Sequence, residues 1–117
     1  MTPPIDLSDA ISTGEGTVAD KAGPGRTLSF TVGRPFCPDP ALVTWYCSYR
    51  IELGDAQLVE SSMAGTDGIE ALTNALVALG LFVEDLRLKA DVRFYGQPGF
   101  APEYFLRAAG RPSESPE

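Results

Sequence analysis

The chain has 117 residues, a formal net charge of −7 and no histidine. Its length suits one domain with its own core, and its acidic balance argues against direct nucleic-acid binding, which needs clustered cations. Without imidazole, the Ser-His-Asp, Cys-His and His-Glu-x-x-His arrangements are excluded. The composition therefore favours a protein that is not an enzyme.

Signals for membranes, metals and cofactors are missing. The longest uncharged apolar run, residues 75–83, is much shorter than the about 20 residues of a membrane span. No basic segment followed by an apolar one opens the chain, so we expect a cytoplasmic protein. Cys37 and Cys47 do not have metal-ligand spacing, and no glycine-rich phosphate loop follows a strand. We expect no metal, no cofactor and no membrane contact.

The first part of the chain predicts an arm and two strands. Residues 1–14 mix proline, serine and acidic residues, which favours a flexible arm. Residues 17–20 suit a short strand, and the breaker cluster at residues 22–25 suits a turn. In residues 26–33, the apolar residues Leu28, Phe30 and Val32 alternate with polar ones, which is typical of a half-buried strand.

The strongest strand signal spans residues 43–53. One parity carries Val43, Trp45, Cys47, Tyr49, Ile51 and Leu53, and the other carries Thr44, Tyr46, Ser48, Arg50 and Glu52. The three prolines of residues 34–42 predict a stiff loop before this strand. Gly54 and Asp55 predict a tight turn into a shorter strand over residues 57–60.

A helix is predicted next. Asp67 suits the N-cap, and Glu70 adds a capping-box-like partner and a favourable dipole interaction. An apolar stripe follows at helical spacing, formed by Ile69, Leu72, Leu76, Leu79 and Val83. Gly80 can end the helix or lie within it, and continuation of the stripe favours extension. Residues 91–95 predict a further strand.

Together these elements predict a two-layer α+β fold. An antiparallel meander of three or four strands carries one long helix on one face. The arm of residues 1–14 precedes a single domain of residues 15–109, and residues 110–117 form a disordered tail. The expected core residues are Phe30, Trp45, Tyr49, Leu72, Leu76 and Leu79.

Several short sequence motifs make the chain similar to a family of proteins. They are Gly33-Arg34-Pro35, Asp39-Pro40, Trp45, Cys47, Tyr49-Arg50-Ile51, Asp67, Glu70-Ala71-Leu72, Ala75-Leu76 and Gly80. The chain thereby resembles, over about residues 17–105, a family of small bacterial proteins of unassigned function. Glu70 stands where such proteins usually carry Gln. The resemblance implies a fold and no activity.

Two kinds of side chain could form a binding site. Tyr46 and Arg50 lie on the polar face of the predicted strand and would form an aromatic and guanidinium patch of the kind enriched in binding hot spots. The alternative is a solvated sheet face, or one covered by the C-terminal segment with Phe100, Tyr104 and Phe105. Cys47 has the parity of the core, and Cys37 is the more exposed thiol.

Acidic residues are concentrated in one region. Residues 51–86 contain seven carboxylates and no Lys or Arg. Glu52, Asp55 and Glu60 therefore suggest a surface for a basic protein partner, as in an immunity-like or adaptor-like protein. Solubility and helix capping are the simpler explanation of the charge. The second functional reading is a small-molecule site or enzyme with a sheet–helix pocket lined by Arg34, Tyr46 and Arg50.

Overall fold

A computed structural model describes residues 3–20, 23–94 and 97–98. Its elements are β1 (Ala10–Asp20), β2 (Gly23–Gly33), β3 (Trp45–Leu53), β4 (Ala56–Gly65), α1 (Gly68–Arg87), β5 (Asp91–Phe94) and β6 (Gln97–Pro98). The sheet has the order β4-β3-β2-β1-β5-β6, and all its described pairings are antiparallel. The α+β class is confirmed. The predicted count of three or four strands is too low, because five strands have four residues or more and β6 adds a short sixth.

Strand β1 is longer than its sequence suggests. Its positions on the helix-facing side include Gly14 and Gly16, which pair with Phe30 and Leu28 of β2. A Cβ atom at Gly14 would lie 3.6 Å from the Phe30 ring, an ordinary van der Waals contact, and the two glycines add no apolar side chain to the pattern. Apolar alternation is therefore absent from β1, although the strand is paired along its length.

Strand β4 also exceeds its prediction of residues 57–60. Ser62 pairs with Ser48, and both are buried although they lie on the polar parity of the sheet. Small and polar residues in this half of β4 weaken the alternating pattern. Gly54, at a φ of 59°, makes the predicted tight turn between β3 and β4.

The helix begins where the sequence places it. The Asp67 side chain accepts a 2.7 Å hydrogen bond from the Glu70 amide, and α1 continues through Gly80 to Arg87. Of the predicted stripe, Leu79 and Val83 are buried and Leu72 and Leu76 are partly buried against the core, whereas Ile69 is 78% exposed. The face that packs on the sheet also carries smaller residues, and the buried residues of α1 are Ala71, Ala75, Leu79, Gly80 and Val83.

The sheet curls around this helix. Helix α1 contacts β3 and β4 near one edge of the sheet and also β5 beyond β1. We call the face that α1 covers the inner face and the opposite one the outer face. Two of the predicted core residues, Tyr49 and Leu79, are buried, whereas Phe30, Trp45, Leu72 and Leu76 are partly buried against the core.

Residues 3–9 form a segment, here called the N-terminal strap, that crosses the outer face. The Arg34 amide donates to Asp9 O at 2.9 Å, and the Asp6 amide donates to Ser48 Oγ at 2.8 Å. A Cβ atom at Gly33 would lie 2.6 Å from Asp6 O, so only glycine allows this approach. The predicted flexibility of residues 1–14 stays a prediction, but residues 10–14 belong to β1.

Some sequence predictions concern residues that the structure does not describe. The tail of residues 110–117 and the aromatic residues Phe100, Tyr104 and Phe105 lie outside the described residues. Among the helices of the described ranges, none combines the length and apolarity that a membrane crossing requires.

Candidate functional site

The outer face carries most of the predicted site residues. Tyr46, Arg50 and Glu52 alternate with the buried residues Cys47 and Ile51 of β3. Since Cys47 and Ile51 belong to the core that includes α1, the three predicted residues point away from the helix. A pocket between sheet and helix cannot be lined by Tyr46 and Arg50, so this part of the second functional reading is wrong.

Strand register orders the outer face into rows. Thr13, Thr31, Arg50 and Glu60 are paired across β1, β2, β3 and β4. The next row is formed in the same way by Glu15, Ser29, Glu52 and Gln57. At the other end, Ser48 and Ser62 form a row beneath the N-terminal strap. Thus the strap closes one end of the face, and the two charged rows lie beyond it.

Both predicted arginines already have anionic partners. Arg34 Nε lies 2.6 Å from Asp9 Oδ2, and this carboxylate raises the pKa of the Arg34 guanidinium. Arg50 Nε lies 3.1 Å from Glu60 Oε2. In the patch expected at Tyr46 and Arg50, the positive charge of Arg50 is therefore compensated by the carboxylate of Glu60.

Tyr46 is half-buried and packs beside the proline-rich loop. Its ring centroid lies 6.0 Å from that of Phe36, and the two residues exchange backbone hydrogen bonds of 2.8 and 2.9 Å. The loop tip exposes Leu42 and Val43, and Val43 has a φ of 53°, which is unusual for a β-branched residue. Tyr46 is thus held in place by its neighbour.

The structure divides the seven acidic residues of residues 51–86 into two groups. Five have local partners: Glu60, Glu84 and Asp85 form ion pairs, and Asp67 and Glu70 cap the start of α1. Glu52 and Asp55 have no such partner among the described residues. The two carboxylates without a local partner therefore lie at the β3–β4 turn, whereas Asp67 and Glu70 keep their negative charge at the start of α1.

Glu15 is a member of the site that sequence reasoning missed. It lies on β1, directly opposite Ser29, and Ser29 lies opposite Glu52. The signal was available in the polar parity that Thr13, Glu15 and Thr17 share, but β1 lacks the apolar parity that would have identified it as a strand.

The strap is fastened by a directed chain of hydrogen bonds. Ser62 Oγ donates to Pro4 O at 2.6 Å, so its own proton cannot serve Ser48 Oγ, which lies 2.6 Å away. Ser48 must donate to Ser62 and accept from the Asp6 amide. The Ser8 amide and hydroxyl donate to Asp6 Oδ1 and lower the pKa of that carboxyl group.

Neither cysteine is placed for catalysis by the described contacts. Cys37 and Cys47 are free thiols, and Cys47 donates to Gly33 O at 3.4 Å. Burial raises the pKa of the Cys47 thiol, which keeps it protonated. In the described ranges, no three His, Cys, Asp or Glu side chains are grouped closely enough to hold a metal ion.

A shallow depression of about 450 Å³ lies over β1 and β2. It is lined by Thr13, Gly14, Glu15, Ser29, Phe30 and Thr31. Arg34, Tyr46 and Arg50 do not contribute to it. Glu15 is its one charged lining residue, and an isolated carboxylate beside hydroxyl groups favours contact with a cation.

Comparison with known proteins gives a family and no activity. The sequence profile of a family described as "Domain of unknown function (DUF6968)" matches residues 17–98. No curated protein and no solved structure matches the chain. The match covers well over half of the chain and supports the resemblance to a domain family of unassigned function. The chain belongs to this DUF6968 family.

Proposed function

We propose that this protein is a non-enzymatic interaction module that binds a basic protein partner through the outer face of its sheet. One observation carries the proposal: Glu15 and Glu52 lie in register on either side of Ser29. Adjacent strands are about 4.8 Å apart, so the two Cα atoms are separated by about 10 Å. This separation suits two cationic side chains of one partner.

The local charge supports a partner with positive charge. The neighbouring cation Arg50 is engaged by Glu60, and no described cation pairs with Glu15 or Glu52. Over about 10 Å, salt at physiological strength screens much of the repulsion between these carboxylates. The fold can therefore hold both, and a bound Lys or Arg would contact either without displacing an existing ion pair.

Asp55 and Glu60 extend the same surface toward the edge of the sheet. Asp55 is exposed in the turn after β3, and Glu60 lies in the row next to Glu52. Arg34 and Tyr46 flank the other end, where they can orient a partner. We place this binding in the bacterial cytoplasm, an assignment that rests on the sequence resemblance.

The test compares two double variants with the same change in charge. Glu15→Gln/Glu52→Gln removes the proposed contacts, whereas Glu84→Gln/Asp85→Asn removes two carboxylates of α1. Proteins retained by the natural chain from a native extract should be lost with the first variant and kept with the second. Their association rate should fall steeply with salt, because surface charges steer encounter. Equal retention by both variants contradicts the proposal.

A further inference from the structure

Strand β4 lies at one edge of the described sheet, and its backbone groups alternate in direction. Tyr46 exchanges both backbone hydrogen bonds with Phe36, so its N–H and C=O point away from β4. Backbone groups alternate in direction along a strand. Cys47 and Tyr49 therefore bond to β4, through their partners Met63 and Ser61.

By the same alternation, the backbone N–H and C=O groups of the even-numbered residues of β4 point away from β3, in the plane of the sheet. Asn74 Nδ2 donates to Ala64 O at 2.9 Å, which confirms that the Ala64 carbonyl faces away from β3. Glu60 and Ser62 share this orientation and have no backbone partner on their free side among the described residues. Glu60 is exposed and presents one N–H and one C=O group to a potential neighbouring strand, whereas Ser62 is only 7% exposed.

Both ends of this stretch are closed. At one end, Ile51 pairs with Val59 while Glu52 pairs with Gln57, so Leu58 is an extra residue that forms a bulge. At the other end, Asn74 occupies the Ala64 carbonyl. Bulges and covering groups are the usual protection of sheet edges. Residues 59–63 remain between them, and Glu60 is the exposed residue of this stretch whose backbone groups face away from β3.

We propose that residues 59–63 of β4 bind an extended segment of the basic partner as an added β-strand, in which basic and apolar residues alternate. The inference rests on the proposed function and specifies how the partner docks. Side chains of the added strand on the outer face would adjoin Glu60, whereas those on the inner face would adjoin the half-buried Val59 and Met63. An added strand that meets both faces in this way needs basic and apolar side chains at alternating positions.

Charge selects a basic strand over a second copy of β4. Antiparallel self-pairing centred on Glu60 would place the two Glu60 side chains directly opposite each other. Centring on Ser61 would place them in diagonal positions. Like charges at such positions are destabilising, whereas Lys or Arg opposite Glu60 is favourable. Glu60 already contacts Arg50 through Oε2, and its second carboxylate oxygen can accept from the partner.

The test separates the backbone of Glu60 from its charge. The probe is an eight-residue peptide of alternating Lys and Val, and its control has the same composition with four Lys followed by four Val. Glu60→Gln keeps the outward N–H, whereas Glu60→Pro removes it without taking a bond from the β3–β4 ladder. We expect Glu60→Pro to bind the alternating peptide at least tenfold more weakly than Glu60→Gln, and the block peptide to bind weakly to all forms.

Hydrogen exchange supplies a second readout on the natural chain. The alternating peptide should slow exchange of the Glu60 and Ser62 amides, whatever the effect of proline on folding. Equal affinities of the two variants, or unchanged exchange at these amides in the saturated complex, would overturn the inference. The alternating peptide could instead lose binding to Glu15→Gln/Glu52→Gln and bind Glu60→Pro unchanged. This result would overturn the added strand, place the partner on the outer face alone and leave the proposed function intact.

Discussion

The hydrogen bonds beneath the N-terminal strap allow a sharp stability test. Ser48 is fully buried and Ser62 is 7% exposed, and each hydroxyl donates one hydrogen bond in the chain that runs from the Asp6 amide to the Pro4 carbonyl. Ser48→Ala leaves the Asp6 amide without an acceptor and Ser62 Oγ without its donor. An unsatisfied buried group costs about 1–3 kcal/mol, so we expect that loss in the free energy of unfolding.

A double-mutant cycle tests the coupling. Ser62→Ala should cost a similar amount, because it leaves the Pro4 carbonyl and the Ser48 hydroxyl unpaired. The double variant should cost less than the sum, by about 0.5–3 kcal/mol, since either change breaks the same chain. Ser29→Ala, a half-buried hydroxyl on the same face, serves as the control. Urea unfolding in which both changes cost under about 0.5 kcal/mol and add independently would refute the directed chain.

Three further outcomes follow from single residues. Gly65→Ala would place a Cβ atom 2.5 Å from the Ala71 amide nitrogen, so thermal or urea unfolding should show a loss of about 1–3 kcal/mol. Asp67→Ala should cost about 0.5–2 kcal/mol in the same assay, and more than Glu70→Ala, because it removes the N-cap acceptor. The lowered pKa of Asp6 contributes stability that is complete above its unfolded pKa and is lost as the pH falls through the lower folded value. Asp6→Asn should therefore flatten the fall in stability during acid titration below about pH 4, and an unchanged slope would contradict this role.

The sequence predicts those elements in which buried apolar residues recur at a regular spacing or a capping residue marks the start. Strand β3 and the start of α1 are recognised because Ile51 and Asp67 belong to strong local patterns. Of β1, only residues 17–20 are predicted as a strand, because the inward positions Gly14 and Gly16 have no side chain and leave the first half without apolar alternation. In the helix stripe, only the position of Ile69 is predicted wrongly: the backbone of Gly65 approaches Ala71 closely, so Ala71 lies at the interface and Ile69 is exposed.

The candidate site is predictable only in part. Residue types and parity identify Tyr46, Arg50 and Glu52 on a polar face, but charge counting treats every carboxylate of the region alike. Ion pairs and caps depend on partners such as Lys89 and the Glu70 amide, which only the folded chain brings close. Strand register is also what joins Glu52 to Glu15 across Ser29, a pair separated by 37 positions in sequence.

Amide chemical-shift mapping with a tetralysine peptide tests the central claim most directly. The account predicts saturable shifts that are largest at Glu15, Ser29 and Glu52, with an affinity that falls several-fold as ionic strength rises. Glu15→Gln/Glu52→Gln should abolish them. Shifts that are largest at Glu84 and Asp85 of α1, or that are spread evenly over all carboxylates, would contradict an outer face built to receive a basic partner.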